Sequence, residues 1–139
     1  MTFLLDTNLV SEWVKPQPNP GVVSWLAGVD EDRVFLSVVT LAELRSGVER
    51  LVAGARRDRL EHWLVEELPA RFEHRIIPID AAIADFWGRI IQRGRAAGRP
   101  VAAMDGFIAA TAAQHSLTLV THNISDFDPL GLSLLDPWT

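Results

Sequence analysis

The sequence predicts an α/β fold, a short and mostly parallel sheet with helices on both faces, and three observations carry that expectation. Short apolar runs recur at 3–6, 34–38, 75–79, 117–121 and 132–135. Between them lie longer segments whose apolar residues repeat at helical spacing. Strands separated by helices imply βαβ crossovers, which set consecutive strands parallel and pack the helices against the sheet. The third observation is size: 139 residues, 48% of them hydrophobic, suit a single domain over 1–139. A chain of this length buries roughly 68–70% of its unfolded surface around one core.

FLLD (3–6) runs into Asp6-Thr7-Asn8, a turn-and-cap sequence that hands a buried strand over to a helix. KPQPNPG (15–21) reads as a connection between two short helices, with Pro20 suited to a helix start. VFLSV (34–38) repeats the strand pattern, and Leu41, Leu44, Val48 and Leu51 then recur as one helix face. Leu60, Trp63, Leu64 and Leu68 mark a second helix, and Ile83, Phe86, Trp87, Ile90 and Ile91 mark a third. RIIPI (75–79) is a brief strand that Pro78 confines to an edge or an end. The alanine-rich stretch 104–116 is a helix, LTLVT (117–121) a strand, and LSLL (132–135) a last strand before Asp136-Pro137-Trp138.

Composition excludes several classes. With no cysteine there is no disulfide frame, thiolate nucleophile or Cys-based metal site. The first apolar run meets Asp6 too early for a secretory signal, and no apolar stretch approaches about 18 residues, so a cytoplasmic protein is expected. The net charge of −5, from 13 Lys+Arg against 18 Asp+Glu, argues at first sight against a nucleic-acid partner.

Chemistry in parallel sheets gathers beyond the carboxyl ends of the strands. Asp6 ends the first strand, Glu43 lies one helical turn beyond the second, Asp105 opens the alanine-rich helix and Asp126 follows the strand 117–121. Each has a structural explanation: Asp6 and Asp105 as helix caps, Thr40 with Glu43 as a capping box, Asp126 in an Asx-turn. Capping does not explain why successive strands deliver an acid to the same rim. If the four converge, they raise one another's pKa unless a cation stands between them. Carboxylate oxygens suit Mg²⁺ or Mn²⁺, whereas zinc is disfavoured without Cys or a His pair at ligand spacing. His62, His74 and His115 read as surface or helix-end residues; His122 lies inside the site segment. Such a metal polarises phosphoryl oxygens and activates water, which makes phosphodiester hydrolysis the leading reaction. Thr7, Thr121 and Asn123 supply hydroxyl and amide groups to orient water or phosphate, or to bond local backbone.

LLDTN (4–8), SVVTLAEL (37–44), DGFIAATA (105–112) and THNISDF (121–127), with the closing Asp136-Pro137-Trp138, resemble the PIN-domain ribonucleases, and within them VapC-type toxins of the FitB-like group. The resemblance implies a three-layer α/β/α PIN domain and a Mg²⁺- or Mn²⁺-dependent endoribonuclease restrained by a cognate VapB-type antitoxin. It carries the catalytic acids onto Asp6, Glu43, Asp105 and Asp126, with Asn123 the alternative to Asp126 in completing the site. Asp6 and Asp105 would hold metal, with Glu43 and Asp126 doing so directly or through water. It further implies a homodimer and a tRNA, rRNA or mRNA substrate. Many relatives carry Arg between the Thr and the Asn of the fourth motif, where this chain has His122, which titrates near neutrality.

Arg45, two residues after Glu43, and His122 are the expected RNA phosphate contacts, with the Arg56–Arg59 cluster a further possibility. Trp13, Trp25 and Trp138 lie in irregular contexts suited to a dimer or antitoxin surface. The alternative function is a non-catalytic PIN-fold module whose acidic rim holds a basic partner segment. A receiver-like phosphoacceptor fails on lysine, since the chain's only one, Lys15, lies in the proline-rich connection.

Overall fold

The computed structural model describes residues Met1 to Thr139. Five strands, β1 (Phe3–Leu5), β2 (Val34–Ser37), β3 (Ile76–Ile77), β4 (Thr118–Val120) and β5 (Leu134–Leu135), pair in the order β3-β2-β1-β4-β5. Every pairing is parallel, so the sheet has no antiparallel member. β3 is an edge strand, as Pro78 requires of its neighbourhood.

Alternation along the strands divides the core in two. Leu4 and Leu119 face one layer, where they join Ile83 and Ile90 of α6 (Ala81–Ala96) and Ile108, Ala109 and Ala112 of α7 (Ala103–Gln114). Leu5 and Val120 face the other. That layer holds α1 (Thr7–Trp13), α2 (Pro20–Gly28) and α3 (Val38–Glu49), with α4 (Ala55–His62) and α5 (Leu68–Arg71) beside them. The result is the three-layer α/β/α arrangement, with period-2 strands feeding both faces.

Alanine richness in α7 has a packing cause. A Cβ on Gly106 would lie 2.9 Å from Trp87 Nε1 and 3.0 Å from Ile91 Cδ1, so only glycine lets α6 and α7 approach this closely. Trp87 stacks on Phe107 at 4.9 Å between ring centroids and donates from Nε1 to the Ala103 carbonyl at 2.9 Å. These contacts hold the first turns of α7 against α6.

Two stretches differ from a simple reading. The pattern Leu60, Trp63, Leu64 and Leu68 forms a rod with a widened turn at Trp63–Glu67, where the Leu68 N–H reaches the Trp63 carbonyl. Pro69 follows; a proline ring inside a regular helix would clash with the carbonyl four residues back, and the wider turn relieves this. THNISDF is not a plain loop: Ile124–Phe127 forms a short helix, α8, whose Phe127 is fully buried. No helix is long and apolar enough to cross a membrane.

The chain proceeds from β1 through β2 to β3 on one side, then returns past β1 to lay β4 and β5 on the other. The strand order therefore reverses between β1 and β4, and a crevice opens beyond their carboxyl ends. Leu4, in the middle strand and fully buried, should matter most to this frame. Leu4→Ala is expected to cost about 2–5 kcal/mol in urea unfolding, and a loss below about 1 kcal/mol would contradict the packing described.

Candidate active site

Asp6 stands at the reversal point. Its backbone N–H donates to the Val120 carbonyl at 2.9 Å, which locks the end of β1 to the end of β4. Its Oδ1 accepts from the Thr7 N–H at 2.8 Å and its Oδ2 from Thr121 Oγ1 at 2.7 Å. Asp6 thus does cap α1, but the second bond, from a residue 115 positions away, has no part in capping. Both side chains are buried, Asp6 at 4% and Thr121 at 0% exposure. Thr121 Oγ1 also accepts from the Asn123 N–H at 3.0 Å, and so ties the start of α8 to the same carboxylate.

Glu43 lies on α3. The capping box expected of Thr40 and Glu43 is absent: α3 begins earlier, with Ser37 as its cap accepting from the Val39 N–H at 3.0 Å. Both residues turn instead toward Thr7, whose Oγ1 lies 2.7 Å from Glu43 Oε1 and 3.1 Å from Thr40 Oγ1. The Thr7 hydroxyl donates to Glu43 Oε1, the shorter contact, and lies within hydrogen-bond distance of Thr40 Oγ1 as well. The buried Thr40 is a site-supporting residue that its sequence context disguised as a cap.

Asp105 does not cap α7 either. The cap is Ala102, which offers no side-chain bond, and Asp105 sits in the first turn, where the helix dipole favours an anion. Asp126 is in the first turn of α8 and makes no Asx-turn; its N–H bonds the Asn123 carbonyl at 3.1 Å.

These acids feel one another. Burial pushes the Asp105 carboxyl from 3.8 to about 6, aided by the charges of Asp6, Glu43 and Asp126. Burial also raises Asp6, against the lowering by its bonds from Thr121 and Thr7, and the charges of Glu43 and Asp126 raise it further. No ion pair in the protein includes any of the four. An acidic cluster with oxygen donors and no cationic side chain suits a hard divalent ion. No three Asp, Glu or His side chains stand close enough to hold an ion as arranged. A bound ion would therefore take few protein oxygens at once and keep water, as Mg²⁺ characteristically does.

Two cavities flank the acids. One, of about 1000 Å³, is lined by Thr7, Glu43, Lys15, Arg50, Arg56 and Arg59 among others. The other, of about 860 Å³, is lined by Asp105 and Asp126 with Arg93 and Arg99. Met104 lines the first and Asp105 the second, so they adjoin at the start of α7.

The two expected phosphate contacts are engaged elsewhere. Arg45 lines neither cavity; its Nη1 bonds Glu61 at 2.9 Å and Glu49 at 3.2 Å. His122 Nδ1 meets Asp136 Oδ2 at 3.2 Å, and its ring stacks on Trp138 at 4.6 Å between centroids. The chain terminus thus occupies the imidazole. Trp25 packs edge-on against Phe3, and Trp13 against Phe72, so all three tryptophans expected at a partner surface have partners within the chain.

Comparison with known proteins agrees with this geometry: residues 3–128 match the PIN domain, and the chain belongs to the PIN-domain family. It is 41% identical over 136 residues to Toxin FitB of Neisseria gonorrhoeae, covering 98% of each chain. It is 32% identical to the VapC ribonuclease Y4jK of Sinorhizobium fredii, covering 98% of this chain and 97% of that protein. The structure of FitAB bound to an IR36 DNA fragment contains a chain that superposes with a TM-score of 0.92 at 38% identity, over 99% of this chain and 96% of that one.

Because the folded Asp105 pKa is raised, the native state holds a proton that the unfolded state has released between pH 3.8 and about 6. That contribution to stability is present at low pH and is lost as pH rises through this window. In metal-free buffer Asp105→Asn should be more stable than wild type at pH 7 and gain nothing at pH 3.5. Parallel stability–pH curves for the two proteins would contradict the assignment.

Proposed function

We propose that the protein is a divalent-metal-dependent endoribonuclease, the toxin of a VapBC-type toxin–antitoxin pair, acting in the cytoplasm. The observation that carries it is the gathering at the sheet reversal of four carboxylates, whose charges raise Asp6 and Asp105, with no ion pair to any of them. Membership of the PIN-domain family and likeness to proteins named as a toxin and a ribonuclease support the same reading.

Asp6 and Asp105 would hold Mg²⁺ or Mn²⁺, with Glu43 and Asp126 doing so directly or through water and Asn123 an alternative to Asp126. When bound, the ion supplies Lewis-acid polarisation of the phosphate and acidifies water. The chain's own groups set the orientation. Thr121 and Thr7 each occupy one oxygen of Asp6, which fixes the plane of its carboxylate and leaves the remaining lone pairs without a protein donor. Thr7, itself aimed by Thr40, holds Glu43 Oε1 and leaves Oε2 free to position the attacking water. Water attacks phosphorus in line with the leaving oxygen, and no side chain is arranged as a covalent nucleophile. The partners are then RNA (tRNA, rRNA or mRNA), a second copy of the chain in a homodimer, and a VapB-type antitoxin that covers the site.

Asp6→Asn and Asp105→Asn should each lower RNA cleavage on the order of 100-fold or more, the scale of losing one group that stabilises transition-state charge. EDTA should abolish wild-type cleavage, and Mg²⁺ or Mn²⁺ should restore it. Equal cleavage by wild type and both variants, indifferent to chelator, would exclude this site, and partner binding without any cleavage would favour the acidic rim as a binding module. Thr7→Val should lower kcat several-fold with KM nearly unchanged, with Thr7→Ser retaining most of the activity. Wild-type kcat in Thr7→Val would remove Thr7 from the orientation of Glu43.

A further inference from the structure

The arginines fall into two populations. Arg33, Arg45, Arg57, Arg71 and Arg89 are paired to carboxylates, and Arg75 donates to main-chain carbonyls, among them Val34 at 2.7 Å. The guanidinium groups of Arg50, Arg56, Arg59, Arg93, Arg95 and Arg99 donate to no protein acceptor, and all but Arg95 line one of the two cavities beside the acids. All six are exposed. Net charge conceals this: the acidic excess neutralises the first population, and the second lies beside the reaction site with its donors uncommitted.

We propose that single-stranded RNA lies through both cavities and across the acids between them, gripped by Arg50, Arg56 and Arg59 on one side of the scissile phosphate and by Arg93 and Arg99 on the other. This rests on the ribonuclease reading and specifies its substrate path. A strand cut within its length must be held on both sides of the break, and the cavities offer phosphate donors on both. Guanidinium is suited to the task by its planar fork of donors. The walls also carry flat apolar surface on which bases can lie without sequence preference: Trp63, Leu60 and Met104 in one cavity, Phe86, Pro100 and Leu130 in the other. An acidic protein segment would find the arginines of one cavity but would bring carboxylates against Glu43 or Asp105 in crossing to the next. Arg45 and Arg57, close in sequence but held by Glu49 and Glu61, lie off the path and serve as internal controls.

The test is fluorescence anisotropy of a short labelled single-stranded RNA with Asp105→Asn protein in Mg²⁺, which binds without cutting, over about 50–200 mM salt. Arg56→Ala/Arg59→Ala and Arg93→Ala/Arg99→Ala should each weaken binding several-fold and flatten the slope of log K against log salt by about 1.4, roughly 0.7 for each phosphate no longer neutralised. Arg45→Ala should leave both unchanged. Unchanged slopes in both double variants would overturn the path, as would an Arg45→Ala effect of equal size, and an effect confined to one pair would overturn its two-sided form. Unchanged RNA binding together with lost binding of a glutamate-rich peptide would assign the arginines to a protein partner instead. Metal-dependent cleavage by wild type is measured alongside: if it persists while the slopes do not respond, only the path falls, and if wild type neither binds nor cuts RNA, the ribonuclease reading falls with it.

Discussion

Burial raises the Asp6 carboxyl and the bonds from Thr121 and Thr7 work against that rise, and the geometry of that pair constrains much else. An ionised group in such a place costs several kcal/mol unless hydrogen bonds replace its water. The Thr121 bond requires β4 to lie directly beside β1, which the parallel register of Leu5 against Val120 provides. The Thr7 contribution requires α1 to begin at once after β1. Thr7 then reaches Glu43, and Thr121 fixes the start of α8 beside Asp126. One buried carboxylate in this way positions two of the other three acids through single hydroxyl groups, while α7 delivers the fourth from a helix held by Gly106 and Trp87.

Like charges gathered in this way oppose folding, and they add to the burial that holds the Asp105 carboxyl above its ordinary range. The remainder of the molecule offsets this opposition with apolar layers on both faces of the sheet, led by Leu4, Leu119, Ile83 and Ile108 on one and Leu5, Leu9, Val10 and Leu36 on the other. On the proposed reading a divalent cation would relieve the repulsion and join folding to function, because the condition that quiets the acids would also be the condition for phosphate to approach. The overall charge of −5 acquires a different meaning here. It is partly a concentrated cluster of four acids, with arginines on either side that pair with no carboxylate, rather than a uniformly acidic surface.

Elements with a local cause were legible in the sequence. The apolar runs at 3–6, 34–38 and 117–121 form strands, Pro78 accompanies an edge strand, and Pro20 begins a helix after Asn19 caps it. The acids could be ranked as a group because each follows a strand or opens a helix. What the sequence hid was long-range partnership. Thr40 and Glu43 have the spacing of a capping box, yet Thr7, more than thirty positions earlier, takes both. Arg45 stands close to Glu43 along the chain, but on a helix surface Glu49 and Glu61 claim it. His122 is inside the right segment, and only the returning terminus, through Asp136 and Trp138, reveals that its ring is engaged. Spacing reports the neighbours along one helix; it does not report which carboxylate a distant element brings to the same arginine.

If four carboxylates share one electrostatic pocket built to receive a cation, the state of one must depend on the others and on the ion. The carboxyl ¹³C chemical shift of Asp105, followed by NMR against pH, reads that dependence. Titration near pH 6 is expected in metal-free protein. Adding Mg²⁺, or replacing Asp6 by Asn, should return it toward the ordinary aspartate range. A metal-free titration in the ordinary range, unmoved by Mg²⁺ and by Asp6→Asn, would mean that the acids do not form one site.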